Sequence, residues 1–326
     1  MSAVTPPLVD PRRGLAAARA RLNAVDARAN RALRWLAFGG GTLVSLVMFL
    51  IAYQVIEGAT LAFGKFGPAF LVHKVWIPAT SQFGGYPFIY GTLVTGVLSL
   101  VLATLLGVSI GLFLSMIAPR RLSAVVGPMV EMLAAIPSVV LGLIGIYLIC
   151  PFIAQHVESP VHDVLGFLPI FGEPQTVGNS LFAASLVLTI MVVPIIAALT
   201  RDLFLTVPIE LRDGAEALGA TRWEMIRSIV LPTASSGVIA ACVLGFGRAI
   251  GEAIAVSEVV GGEPLNPSNW FQPGNTIASV IATQYPSRVS NLHGASLFYL
   301  ATILFVFGLI VNLTARQIGR RGLRIK

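Results

Sequence analysis

Ile209–Pro232 reads IELRDGAEALGATRWEMIRSIVLP, and its reading decides the fold. It is a charged island carrying Glu210, Arg212, Asp213, Glu216, Arg222, Glu224 and Arg227, set between apolar runs long enough to cross a bilayer. Pro208 suits a first helical position, where its missing N–H costs nothing, and Gly219 suits a left-handed terminating position. Between them Leu211, Ala215 and Leu218 fall at i, i+4 and i+7, one apolar stripe. Thr221 and Glu224 form a capping box that starts a second helix, with Trp223, Ile226 and Val230 on one face. Pro232 ends that helix or begins the next span. The spacing predicts a two-helix hook, within a loop at 202–232, that needs a partner.

Outward from the hook the chain is apolar. Of its 326 residues 56% are hydrophobic and 11% charged, against about a quarter charged in soluble domains. The expected fold is all-α and polytopic, with about six transmembrane helices. The predicted spans are 36–56, 88–117, 125–150, 180–199, 237–260 and 295–313. A basic segment at 1–34 precedes the transmembrane domain at 35–316, and a basic tail at 317–326 follows it. The net charge of +7 sets orientation rather than pointing to nucleic acid. Of the 22 basic residues, only Lys65, Lys74 and Arg288 fall in the intervening loops and Arg248 inside a span. The rest occupy alternate segments, which places both termini in the cytoplasm. The first span lacks a small-residue cleavage site, so no signal peptide is expected.

Between the spans little points to a metal or a nucleophile. Cys150 and Cys242 lie in or beside apolar runs and read as packing residues. Segment 57–87 holds Phe63, Phe66, Phe70, Trp76, Phe83 and Tyr86, aromatics suited to lying at a bilayer interface, and a lone His73. His156 and His162 stand near Glu158 and Asp163, with Glu173 further on, and read as a solvated loop, not a metal site. Pro137 is expected to kink the third span and Pro194 to interrupt the fourth. Glu131 admits two readings, a helix-pairing carboxylate or a group on a pathway.

Arg248 falls eleven residues past Gly237, about 17 Å into the fifth span and near the middle of a ~30 Å core. Glu252, four residues on, shares its face on a continuous helix, so the two can pair. They form either a structural ion pair or a site offering a cation to an anionic substrate. Small residues crowd the same span, which suits packing against a second subunit.

Asp213-Gly214-Ala215, three residues, Gly219, nine residues, Ile229, one residue and then Leu231-Pro232 resembles the cytoplasmic EAA motif of ABC-importer permeases. Asp213 stands for the usual Glu. Gly214 stands for the usual Ala, a change that weakens a helix by about 1 kcal/mol. GGYPFIYGTLVTG (84–96), MLAAIPSVVLGL (132–143) and GFGRAIGEAIAV (245–256) are similar to segments of the phosphate-specific, PstC-type members. The resemblance spans roughly residues 60 to 315 and implies a type I ABC importer permease fold.

It also implies a division of labour. Asp213, Gly214, Ala215, Gly219, Trp223, Leu231 and Pro232 would couple to an ATP-binding cassette ATPase subunit. Arg248 and Glu252 would lie on the phosphate pathway, with Glu252 keeping the anion from binding too tightly. The expected partners are that ATPase, a second homologous permease subunit forming a heterodimer, an extracytoplasmic phosphate-binding protein and membrane lipid, with no nucleic acid. No cofactor or metal is expected. None of Lys65, Lys74 and Lys326 stands in a Gly-x4-Gly-Lys-Ser/Thr loop, so the chain is expected to be a transport subunit of the bacterial inner membrane and not itself an enzyme. The alternatives are the sister permease subunit, a permease for another oxyanion, and an ion-coupled carrier using Arg248, Glu252 and Glu131 as a relay.

Overall fold

The computed structural model describes residues 11–262 and 268–324, with side chains described within 33–262 and 268–314. The arginines at 12–31 and the basic side chains of the 317–326 tail therefore lie outside the described side chains. Among the described residues the chain is helical and only two isolated β-bridges occur. The helices are α1 (Pro11–Phe66), α2 (Tyr86–Ile117), α3 (Arg120–Ala134), α4 (Ser138–Leu165) and α5 (Leu181–Leu205). They continue as α6 (Ile209–Ala217), α7 (Arg222–Gly251), α8 (Ile254–Val259), α9 (Ile277–Gln284) and α10 (Asn291–Arg324). Six of these are long and apolar enough to cross a membrane, as the composition requires. Two units are distinguished, up to Gln54 and from Val55 onward. In the first, Trp35, Leu36, Phe38, Leu43 and Phe49 are all exposed, the surface of a helix made for lipid.

Several expected boundaries move, three of them for a clear local reason. α1 does not stop at Ile56. Nothing breaks the helix before Gly67-Pro68, where Gly67 turns to φ +53. The aromatics after it pack inside the protein. Phe70, Trp76 and Phe83 are buried with Phe88 and Tyr299, and Trp76 Nε1 donates to Gln284 Oε1 at 2.9 Å. The expected span 125–150 is really two helices. Pro137 disfavours helical backbone at the residue before it, and here α3 ends at Ala134 and α4 starts at Ser138 with Pro137 as its cap. α4 then runs to Leu165, well into the expected loop.

The solvated-loop reading of Glu158 is also wrong. Glu158 is fully buried on α4, and its Oε1 accepts from Ser180 Oγ at 2.6 Å. That hydroxyl in turn caps α5 through Ala183 N–H at 2.9 Å. The carboxyl therefore serves to fix the start of α5.

Prolines inside the long helices are absorbed, not obeyed. Wide π turns at Gly145–Ile149, Ala154–Glu158 and Ile226–Val230 each end two residues before a proline, at 151, 160 and 232. The extra residue in the turn relieves the clash between the ring and the preceding turn, so the helix continues. Pro194 likewise sits inside an unbroken α5 and does not interrupt it. α5 is the centre of the second unit, with 67% of its apolar window buried against 28% for α2, α4 and α7. Close backbone approach makes this possible: a Cβ on Gly107 of α2 would lie 2.8 Å from Ile196 Cβ of α5.

Candidate functional site: hook and cavity

The hook forms where the sequence puts it. Pro208 caps α6 (φ −52, ψ 134) and does not open it, a shift of one position. α6 closes with Gly219 N–H donating to Glu216 O at 3.0 Å and Ala220 N–H to Ala215 O at 3.1 Å. This paired stop needs the left-handed Gly219, at φ +86. The capping box follows: Thr221 N–H donates to Glu224 Oε2 at 2.7 Å and Glu224 N–H to Thr221 Oγ1 at 3.3 Å. Gly214 has open space where a Cβ would stand, so glycine is tolerated here and not demanded.

Beneath the hook, Phe204, Val207, Met225, Ile226, Val230 and Ala234 are buried together. Ala215, Leu231 and the α2 residues Val108, Leu112 and Met116 pack on them. The hook is thus fastened to the ends of α2 and α5 and to the start of α7. Trp223 does not share the face of Ile226 and Val230. They are buried in the cluster beneath the hook, while Trp223, in the first turn of α7, is 64% exposed. Leu218 is 91% exposed beside Gly219. Asp213 and Trp223 stand on the open side, with Leu218 between the two short helices. Pro232 neither ends the second hook helix nor begins a new one, since α7 passes through it from Arg222 to Gly251.

At its far end α7 stops at Gly251, and Glu252 is extended (φ −73, ψ 120) before α8 begins at Ile254. The expected single helix over 237–260 is therefore broken beside its charges. The one-turn relation that would pair Arg248 with Glu252 does not survive the break, and neither forms an ion pair among the described residues. Both instead line one cavity of about 760 Å³ between α5, α7 and α10. Its walls are Ile195, Val243, Leu244 and Val311, and its remaining side-chain polar group is Asn312 of α10. Gly247 and Gly251 leave open space on the same wall. A mostly apolar cavity of this size with a few convergent polar groups has the character of a ligand site. A guanidinium with no ion-pair partner among the described residues offers its forked donors to an oxyanion.

Residues 107–323 match the family of the binding-protein-dependent transport system inner membrane component. The chain belongs to this family. It is 37% identical over 283 residues to the phosphate transport system permease protein PstC of Pasteurella multocida (strain Pm70), covering 85% of this chain and 88% of that one. To the protein of the same name from Mesorhizobium japonicum it is 34% identical over 283 residues, covering 86% of each. Among solved structures it resembles the MetNI methionine ABC transporter in an inward-facing form, with TM-score 0.52 at 18% identity, over 72% of this chain and 94% of that one. That likeness establishes the type I ABC importer permease fold. The chain is a multi-pass inner-membrane permease, and its family implies a separate ATPase and a substrate-binding protein.

In this permease Arg248 and Glu252 share the cavity, and the hook residues stand together at the other end of α7. Glu131 belongs to neither place. Its Oε1 lies 2.9 Å from Arg201 Nη2, which also meets Asp202 Oδ1 at 3.0 Å, so Glu131 ties α3 to α5 and does not line the cavity with Arg248 and Glu252. Sequence reasoning missed Asn312 and the Arg201 cluster. A lone Asn in an apolar run was the signal for the first. Gly127 was the signal for the second, since a Cβ there would stand 2.5 Å from Arg201 Nη1. The histidines form no metal cluster among the described residues.

Proposed function

We propose that this chain is a permease subunit of an ATP-driven phosphate importer, carrying inorganic phosphate inward across the inner membrane. The observation that carries the substrate is the 37% identity, over most of both chains, to a phosphate transport permease. The cavity supports it chemically, because Arg248 presents a bidentate cation to a tetrahedral oxyanion. Glu252 sits in the same cavity as a like charge that weakens the hold enough for release.

In this reading the hook docks into the ATPase. Trp223 and Leu218 offer apolar contact, while Asp213, Gly214, Ala215 and Gly219 shape the turn and Leu231 and Pro232 carry it into the span. The chain hydrolyses nothing itself. A second homologous permease closes the open side of the cavity as a heterodimer, and an extracytoplasmic phosphate-binding protein delivers substrate. Both termini and the hook are cytoplasmic, from the distribution of arginines. ATP-driven closure of the ATPases moves the hooks together and opens the cavity outward, and hydrolysis resets it inward.

The test is uptake of radiolabelled phosphate in cells lacking their own phosphate permease and given this chain with its partners. Competition by unlabelled phosphate, but not by sulfate or molybdate, is expected. Equal competition by sulfate would remove phosphate as the substrate.

A further inference from the structure

Two routes run through the described residues from the hook to the cavity, and they end on opposite sides of the break at Glu252. The first is α7 itself, which ends at Arg248–Gly251. The second begins at Arg201, one turn before α5 enters the hook. Its Nη2 holds Glu131 of α3 at 2.9 Å and Asp202 at 3.0 Å, and Gly127 keeps the space its guanidinium occupies. α3 hands over through the Pro137 break to α4. There Gly142 lies so close to α8 that a Cβ would stand 3.0 Å from Ala255 Cα and 3.2 Å from Glu258 Cγ. α8 starts two residues after Glu252.

We infer that Arg201 and Glu131 are positioning residues for transport, and that their ion pair carries hook movement through α3, α4 and α8 to set Glu252 against Arg248. This rests on the reading of Arg248 and Glu252 as the anion site. The side chains are partly open, Arg201 at 21% and Glu131 at 47%, so the link is exchangeable and can be remade in each cycle. Asp202 provides the second seat: when α3 shifts, the guanidinium keeps a carboxylate and is not left bare. Two routes that end on either side of a break can change the spacing of two charges that a single unbroken helix would hold constant.

The experiment measures radiolabelled phosphate uptake and ATP hydrolysis together in proteoliposomes holding the complete transporter. The variants are Glu131→Gln, the charge swap Glu131→Arg with Arg201→Glu, and Arg248→Gln as the control. In Glu131→Gln, uptake per ATP hydrolysed is expected to fall about tenfold with hydrolysis preserved, and the swap to recover most of it. A wild-type ratio in Glu131→Gln, or a swap no better than the single variant, overturns the proposal. Loss of assembly in Glu131→Gln also overturns it, since the pair is then only a structural tie. Normal uptake in Arg248→Gln is a separate failure, that of the anion-site reading itself.

Discussion

The two ends of α7 are built on opposite principles. At the hook end both short helices are closed, by the paired stop at Gly219 and the Thr221–Glu224 capping box, and six apolar side chains are buried beneath. At the cavity end the helix stops at Gly251, Glu252 is extended, and Arg248 has no ion-pair partner among the described residues. A capped and packed end transmits force without deforming. A broken end with a free cation can change its geometry and exchange a ligand. The difference separates the part of the permease that must be gripped from the part that must yield.

Stiffness at the hook end gives the largest expected effect short of losing Arg248. Gly219→Val puts a β-branched residue at φ +86, where only glycine is comfortable, and so misshapes the turn. Uptake per ATP hydrolysed in proteoliposomes is expected to fall about a hundredfold. Normal coupling in that variant would mean the turn is not what the ATPase grips. A smaller effect is expected at the yielding end. Glu252→Gln removes a like charge from the cavity, so phosphate binds more tightly by about 1 kcal/mol, a roughly fivefold fall in the transport KM with slower turnover. A raised KM would show that Glu252 attracts substrate instead of limiting its hold. The smallest effect is local: Thr221→Ala removes the cap oxygen and lowers stability by about 1 kcal/mol, read as a lower melting temperature of the purified complex.

The same contrast explains what the sequence disclosed. The hook was legible because caps, a glycine stop and a proline are decided within a few residues. Its misreadings are local: Pro208 caps α6 instead of opening it, α7 passes through Pro232, and Trp223 in the first turn of α7 faces outward. The six spans were legible from hydropathy, yet their ends moved wherever packing overrode a breaker. α4 continues through two prolines, and Glu158 is buried because Ser180 meets it from another helix. The cavity was half legible. Arg248 and Glu252 stand out as charges in an apolar run, but their relation depends on a break at Glu252 that sits in a stretch of small residues without a proline. Asn312 could not be placed, because the face a membrane helix turns inward is set by neighbours remote in sequence. For the same reason Glu131 was seen as a charge but not joined to Arg201.

The anion-site reading turns on the Arg248 guanidinium in the cavity. The direct measurement is phosphate uptake alongside ATP hydrolysis by the complete transporter carrying Arg248→Gln, in the same proteoliposomes. The account predicts that the complex assembles and hydrolyses ATP while uptake falls to background. Uptake at the wild-type rate would contradict it.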